Sequence, residues 1–148
     1  MKKLGFIVTG VLVFLLFIAA SVSAQDAVDM YKEGKQLMEA SQYLIDQGQI
    51  MEKCACTDKA AMIAQGNAMV KKGNDVADSA SMMMTNDGRS ENGEVGEKIR
   101  SAGLLLLKKG NQAGALTDKD KEEVNKLGKE MASLGNLKLN IAKVMCGE

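Results

Sequence analysis

The stretch GNAMVKKGN, residues 66–74, is the most informative part of the sequence about the fold. It places two glycines seven residues apart in a sequence that otherwise favours a helix. Glycine is about 1 kcal/mol less favourable than alanine inside a helix. Seven residues make two helical turns, so both glycines lie on one helix face. We therefore expect this face to pack closely against another helix.

The same spacing occurs throughout the chain and is duplicated. Four glycines are each matched 62 residues later: Gly34 by Gly96, Gly48 by Gly110, Gly66 by Gly128 and Gly73 by Gly135. Residues 30–84 and 92–146 align without a gap and share 12 identical residues in 55 pairs. Because one offset holds across two helices and the loop between them, the sequence predicts a duplicated αα-hairpin.

A heptad pattern underlies the repeat when the glycine position is called a. All a residues are small: Gly34, Ser41, Gly48, Gly66, Gly73, Ala80, Gly96, Gly103, Gly110, Gly128, Gly135 and Ala142. The d residues are mostly large and apolar, and Lys138 is the one polar exception. Small a residues allow helix axes to approach the low end of the usual ~8–10 Å range. The nine glycines are therefore predicted to be close-packing positions.

Four helices are predicted, at residues 26–52, 58–84, 92–114 and 118–146. Thr117 and Asp120 resemble a capping box at the start of the fourth helix, and Thr57 or Asp58 can cap the second. The predicted fold is all-α, an antiparallel up-down-up-down four-helix bundle with short loops inside each hairpin. A linker at residues 85–95 leaves open a second arrangement, with the hairpin loops at opposite ends.

The N-terminus has the features of a signal peptide. Lys2 and Lys3 precede an apolar run at residues 6–20, and the small residues 22–24 end it. We expect cleavage near Ala24, which leaves the bundle at residues 25–148 and places it in the periplasm or outside the cell. The alternative is that the apolar run is retained as a membrane anchor.

The composition excludes several classes of function. Removing Lys2 and Lys3 leaves 17 basic against 19 acidic residues, so charge does not favour nucleic acid. The chain has no histidine, which excludes Ser-His-Asp and Cys-His catalytic arrangements. Charged pairs such as Lys71-Lys72 and Lys108-Lys109 disfavour membrane insertion of the mature helices. The sequence therefore predicts a protein that is not an enzyme.

The cysteines Cys54, Cys56 and Cys146 are disulfide candidates, because an exported protein meets an oxidising compartment. In the simple bundle, the first loop and the C-terminus lie at opposite ends, about 37 Å apart for helices of ~25 residues. A disulfide needs Cα atoms within roughly 7 Å. We therefore expect Cys146 to pair with another molecule, as in a disulfide-linked dimer, unless the hairpins take the second arrangement.

A soft-metal site is the alternative role for the sulfur atoms. Met51, Cys54 and Cys56 place a thioether and two thiols in one segment, and such ligands select Cu(I). Residues 82–84 and 145–146 would give a second sulfur cluster. The competing interpretation is core packing, because methionine fills irregular gaps. Six methionines occupy d positions: Met51, Met62, Met69, Met83, Met131 and Met145.

Three functions follow from these features. The first is an exported, non-enzymatic interaction or structural module of the cell envelope, with a protein partner and no bound cofactor. The second is a periplasmic Cu(I)-binding protein that uses cysteine and methionine. The third is a self-assembling subunit, in which small-residue faces pack between chains.

Overall fold

The structure, a computed structural model, describes the backbone of residues 2–53 and 58–148 and the side chains of residues 24–53 and 58–148. These residues form four helices and no strand. The helices are α1 (Lys2–Lys53), α2 (Lys59–Ser81), α3 (Asn86–Asn111) and α4 (Asp118–Met145). The predicted all-α class with four helices is confirmed, and their contacts fit a bundle. Cleavage near Ala24 stays a prediction.

Polar side chains start the last three helices. The Asp58 carboxylate accepts a hydrogen bond from the Ala60 amide at 2.9 Å, and Thr85 accepts one from the Gly88 amide at 2.9 Å. Thr117 and Asp120 form the predicted capping box. Each cap satisfies amides that have no partner within the first helical turn.

The ends of α3 and α4 use glycine. Gly114, in the loop after α3, has a φ of 79°, and Gly147, after α4, has a φ of 76°. The amide of Glu148 donates to the Lys143 carbonyl at 2.9 Å, and the Gly147 amide donates to the Val144 carbonyl at 3.0 Å. This pair of bonds is a Schellman motif, which favours glycine at the left-handed position.

The predicted break at residues 85–91 is wrong. Only residues 82–85 separate α2 from α3, and residues 86–91 form the first turns of α3. Asn86, Asp87 and Gly88 favour turns, so their sequence alone suggested a loop. The long linker needed for the second hairpin arrangement is therefore absent.

The glycine faces form two seams, one between α1 and α4 and one between α2 and α3. A methyl group on Gly48 would lie 2.6 Å from the Gly128 carbonyl oxygen, and one on Gly103 would lie 2.8 Å from the Gly66 carbonyl oxygen. In the first seam Gly34 lies against Ala142, so the contacts run in opposite chain order. Helix α1 also contacts α3, and α3 contacts α4, which joins the two seams.

The apolar core lies between the two seams. It contains d residues from all four helices, including Leu37, Met69, Ile99, Leu106 and Met131. Each of these side chains is fully buried or nearly so. Glycine contacts therefore join α1 to α4 and α2 to α3, and large apolar side chains from all four helices fill the space between the two seams.

Candidate functional site

Glu33 ties α1 to the turn between α2 and α3. Its carboxylate is buried, and it accepts hydrogen bonds from the Thr85 amide at 3.2 Å, from the Thr85 hydroxyl and from the Met84 amide. These groups lie at the N-terminus of α3, where the helix dipole favours a negative charge. Buried Asn92 adds a hydrogen bond to the Gly88 carbonyl at 3.0 Å. This cluster fixes where α3 begins.

Lys109 and Asp120 form a buried ion pair at the end of the bundle that contains the loop after α3. The Lys109 Nζ lies 2.7 Å from an Asp120 oxygen and 2.6 Å from a Glu123 oxygen. Gln112 and the Thr117 hydroxyl also donate to Asp120. Hydrogen bonds from Lys109, and then from Thr117 and Gln112, hold the pKa of Asp120 well below its usual value. The charged start of α4 suggests a solvated face from sequence alone, but Asp120 is buried among these partners.

Lys138 is the polar exception among the d residues, and the structure shows how it is accommodated. Its side chain is only 6% exposed and lies 2.7 Å from a Glu91 oxygen, with Glu94 as a second partner. Burial lowers the pKa of Lys138, but the hydrogen bonds that its ammonium group donates to Glu91 and Glu94 outweigh this effect, and the net pKa is raised. The ammonium group therefore remains charged and links α4 to α3.

Sequence reasoning missed Glu33 and Lys109. Both precede an a glycine, at a heptad position that holds Ala40, Val95 and Ala102 elsewhere in α1 and α3. These three alanine and valine residues are buried. Apart from Gln47, this position is apolar in α1 and α3, so a charge there was the available signal, although it named no partner.

Exposed apolar side chains collect at one end of the bundle. Among the described residues, the three most exposed large apolar side chains are Met82 (75%), Val144 (75%) and Met84 (73%). Val28 and Tyr31 at this end are each 48% exposed. We call these five residues the apolar end.

The contacts of Glu33 and Cys146 bring these residues to the same end of the bundle. The Glu33 carboxylate binds the Met84 amide, which places the α2–α3 turn beside the first part of α1 in the bundle. The Cys146 sulfur lies 3.7 Å from the Tyr31 carbonyl oxygen, which places the end of α4 there as well. Large apolar groups left in water commonly mark an interaction surface.

The nine predicted close-packing glycines all meet a neighbouring helix at short range. A methyl group on any of them would lie within 2.5–2.9 Å of an atom across the seam. For Gly34, Gly110 and Gly135 the nearest atom belongs to a side chain, which is that of Ile63 for Gly110 and that of Ile45 for Gly135. At each of these nine positions, therefore, a side chain would meet a neighbouring helix.

Among the cysteines, the structure describes Cys146 alone, and it forms no disulfide with any described residue. Its sulfur lies against the bare backbone of Gly34. Gly34 is 19 residues before Lys53, which is about 28 Å along α1 at 1.5 Å per residue. The end of α4 and the end of α1 therefore lie far apart, and Cys54 and Cys56 lie outside the described residues.

Of the predicted metal ligands, only Met51 lies among the described residues. Met51 is 1% exposed and packs in the apolar core, as do Met62, Met69 and Met131. Cys54 and Cys56 lie outside the described residues. Within residues 24–53 and 58–148, no group of three cysteine, aspartate or glutamate side chains is arranged to hold a metal ion. The structure accounts for Met51 by packing.

A shallow cleft between α1 and α2 has a volume of about 180 Å³. Its lining includes the neutral Gln36 together with Glu39, Lys72 and Asp75, which carry charges of both signs. Such a lining favours no single class of ligand, so the apolar end is the stronger candidate for a functional surface.

Comparison with protein-family models, with curated proteins and with solved structures finds no match. Within the residues whose side chains are described, no helix has an apolar stretch long enough to cross a membrane.

Proposed function

We propose that this chain is an exported, non-enzymatic interaction module of the cell envelope, and that its apolar end contacts a protein partner. The observation that carries this proposal is the concentration of the most exposed apolar side chains, Met82, Met84 and Val144, at one end. Methionine side chains are flexible and polarisable, which suits a surface that packs against another protein.

The buried charges support the same conclusion. Glu33, Lys109, Asp120 and Lys138 each form ion pairs or hydrogen bonds with a neighbouring helix or turn. These groups therefore hold the scaffold together. The exposed end, by contrast, has apolar groups that contribute little to folding while they remain in water.

Site-specific photo-crosslinking in the native host tests the proposal. A photoreactive phenylalanine analogue replaces Met84 or Val144, and matched variants replace Leu104 or Leu137, which are exposed elsewhere on the bundle. We expect one defined adduct from Met84 and Val144 and none from the two control positions. Equal labelling from all four positions, or no adduct from any, would contradict the proposal.

The architecture that we propose for this module is an antiparallel up-down-up-down bundle, made by duplication of a helical hairpin and left as residues 25–148 after cleavage near Ala24. The opposite chain order of the contacts at Gly34 and Gly48 supports it. The mass and cell fraction of the mature protein test the cleavage and the predicted periplasmic or secreted location. A mature chain that begins at Met1 in the membrane fraction would show that the apolar run is retained.

The Cu(I) proposal now rests on Cys54 and Cys56, since Met51 is packed in the core. A competition titration with a Cu(I) chelator compares the natural chain with the Cys54→Ser/Cys56→Ser variant. Tight binding that the variant loses would favour a metal-binding protein over an interaction module.

Self-assembly is a third proposal, and the same crosslinking distinguishes it. An adduct of twice the chain mass from Met84 or Val144 would identify a second copy as the partner. Light scattering after size exclusion, with and without reductant, then separates a Cys146-linked dimer from a noncovalent one.

A further inference from the structure

The two glycine seams have different registers. In the α1–α4 seam, Gly48 lies against Gly128, and in the α2–α3 seam, Gly73 lies against Gly96. The 62-residue repeat maps Gly48 to Gly110 and Gly128 to Gly66. An identical register would therefore pair Gly66 with Gly110, whereas the structure pairs Gly66 with Gly103. The α2–α3 seam is one heptad away from the register of its counterpart.

The sequence of the α2–α3 seam is compatible with both registers. A shift of one heptad would pair Gly73 with Gly103, Gly66 with Gly110 and Ala80 with Gly96. Every one of these residues is small, so the helix backbones could approach as closely as they do now. A repeating small-residue face therefore specifies which sides of two helices meet, but not which heptads.

The turn sequence favours the shifted register. The midpoint of the turn lies halfway in sequence between two residues that face each other. For the observed pair Gly73–Gly96 it falls between residues 84 and 85, whereas for the pair Gly73–Gly103 it would fall at residue 88. Asn86, Asp87 and Gly88 are turn-forming residues, and all three lie within the first turn of α3 in the structure. Helix formation there opposes their local preference.

We infer that the α2–α3 pair is a two-state element, with a second register one heptad away, and that Glu33 holds it in the observed one. Glu33 binds the Thr85 amide and hydroxyl at the start of α3, and this contact exists only when α3 begins at residue 86. The Lys109–Asp120 pair supports the same state from the other end of α3. In the second register, α3 slides by seven residues, about 10.5 Å, along α2.

The distance between two spin labels, measured by pulsed electron paramagnetic resonance, tests this inference. The labels replace exposed Asp75 and Lys108 in a chain whose three cysteines are serines. In the observed register Asp75 lies opposite Glu94, which is fourteen residues before Lys108. The two labels are therefore separated by about 21 Å along the helix axis. In the second register it lies opposite Ser101, so the axial separation falls to about 10.5 Å. A label pair at Gln49 and Ser133 reports on the α1–α4 seam.

Two variants move the equilibrium. Glu33→Ala removes the contact that defines the observed state. Ser90→Pro breaks the first turns of α3 but fits a loop at residues 86–91, and Ser101→Pro is its control because it interrupts α3 in both registers. We expect Glu33→Ala and Ser90→Pro to populate the shorter Asp75–Lys108 distance while the Gln49–Ser133 distance stays constant.

Several results would overturn the inference. One is a single long distance in both variants. Another is a broadening of both label pairs together, which would indicate general loosening of the bundle. A third is loss of cooperative unfolding in Ser90→Pro to the same extent as in Ser101→Pro, because a proline that the second register accommodates should be the milder of the two.

Discussion

Gly48 and Gly128 face each other across the α1–α4 seam so closely that a methyl group on either would lie 2.6 Å from the carbonyl oxygen of the other. Each methyl would also lie 2.8 Å from a backbone nitrogen of the facing helix. Because backbone atoms cannot move aside as a side chain can, the absence of both Cβ atoms sets the distance between the two helices.

Gly128→Ala is therefore expected to destabilise the protein, although alanine favours helices. The gain of about 1 kcal/mol in helix propensity is outweighed by overpacking, which typically costs about 1–3 kcal/mol and here displaces backbone. Urea unfolding measures the change. Gly93→Ala is the matched control, since a methyl group on Gly93 has no neighbour within 4 Å. It should stabilise by about 0.5–1 kcal/mol, and a stabilising Gly128→Ala would contradict the close-packing role.

Glu33→Gln is expected to weaken the start of α3. The amide keeps the size of the carboxylate but loses the charge that the Thr85 and Met84 amides bind, at a cost of about 1–3 kcal/mol. Hydrogen exchange should speed up at the amides of Met84 and Thr85. The exposed Glu39→Gln is the control, and the same exchange rates in both variants would show that Glu33 does not hold the turn.

The Lys109–Asp120 pair predicts a pH dependence of stability. The folded-state pKa of Asp120 is below the unfolded value of about 3.9, so its contribution is present above pH ~4 and is lost as the pH falls through the folded pKa. The difference in Tm between the natural chain and Asp120→Asn should therefore shrink between about pH 5 and pH 2. Asp118→Asn is the control, because the Asp118 side chain is fully exposed. A Tm difference for Asp120→Asn that stays constant with pH would rule out this ion pair as its source.

Lys138 is expected to be replaceable by an apolar residue. Its two carboxylate partners, by contrast, are not replaceable while Lys138 remains. Lys138→Met restores the d pattern and should leave stability unchanged or raise it, because it removes the desolvated ammonium group while the carboxylates left behind, 23% exposed for Glu91 and 56% for Glu94, still reach water. Glu91→Gln with Glu94→Gln leaves the buried ammonium without a charged partner, which costs up to about 3–5 kcal/mol. Thermal unfolding compares the two, and the reverse order of stability would contradict this account.

The helical class and the number of helices could be predicted from the amino-acid sequence, because both depend on patterns within each helix. Small residues every seven positions fix which side of a helix can approach another backbone, and this is local information. The caps at Asp58 and Thr117 were equally readable, because a cap acts within one turn.

The register of each seam and the partners of the buried charges, by contrast, depend on contacts between residues far apart in the chain. A repeating pattern is unchanged by a shift of one heptad, so it cannot choose between Gly66–Gly103 and Gly66–Gly110. That choice depends on contacts such as the one from Glu33 to the Thr85 amide, 52 residues away in the chain. Residues 86–91 form the first turns of α3 although Asn86, Asp87 and Gly88 favour a turn, and the buried Glu33 carboxylate accepts hydrogen bonds from the two amides directly before this helix, where a negative charge is favourable.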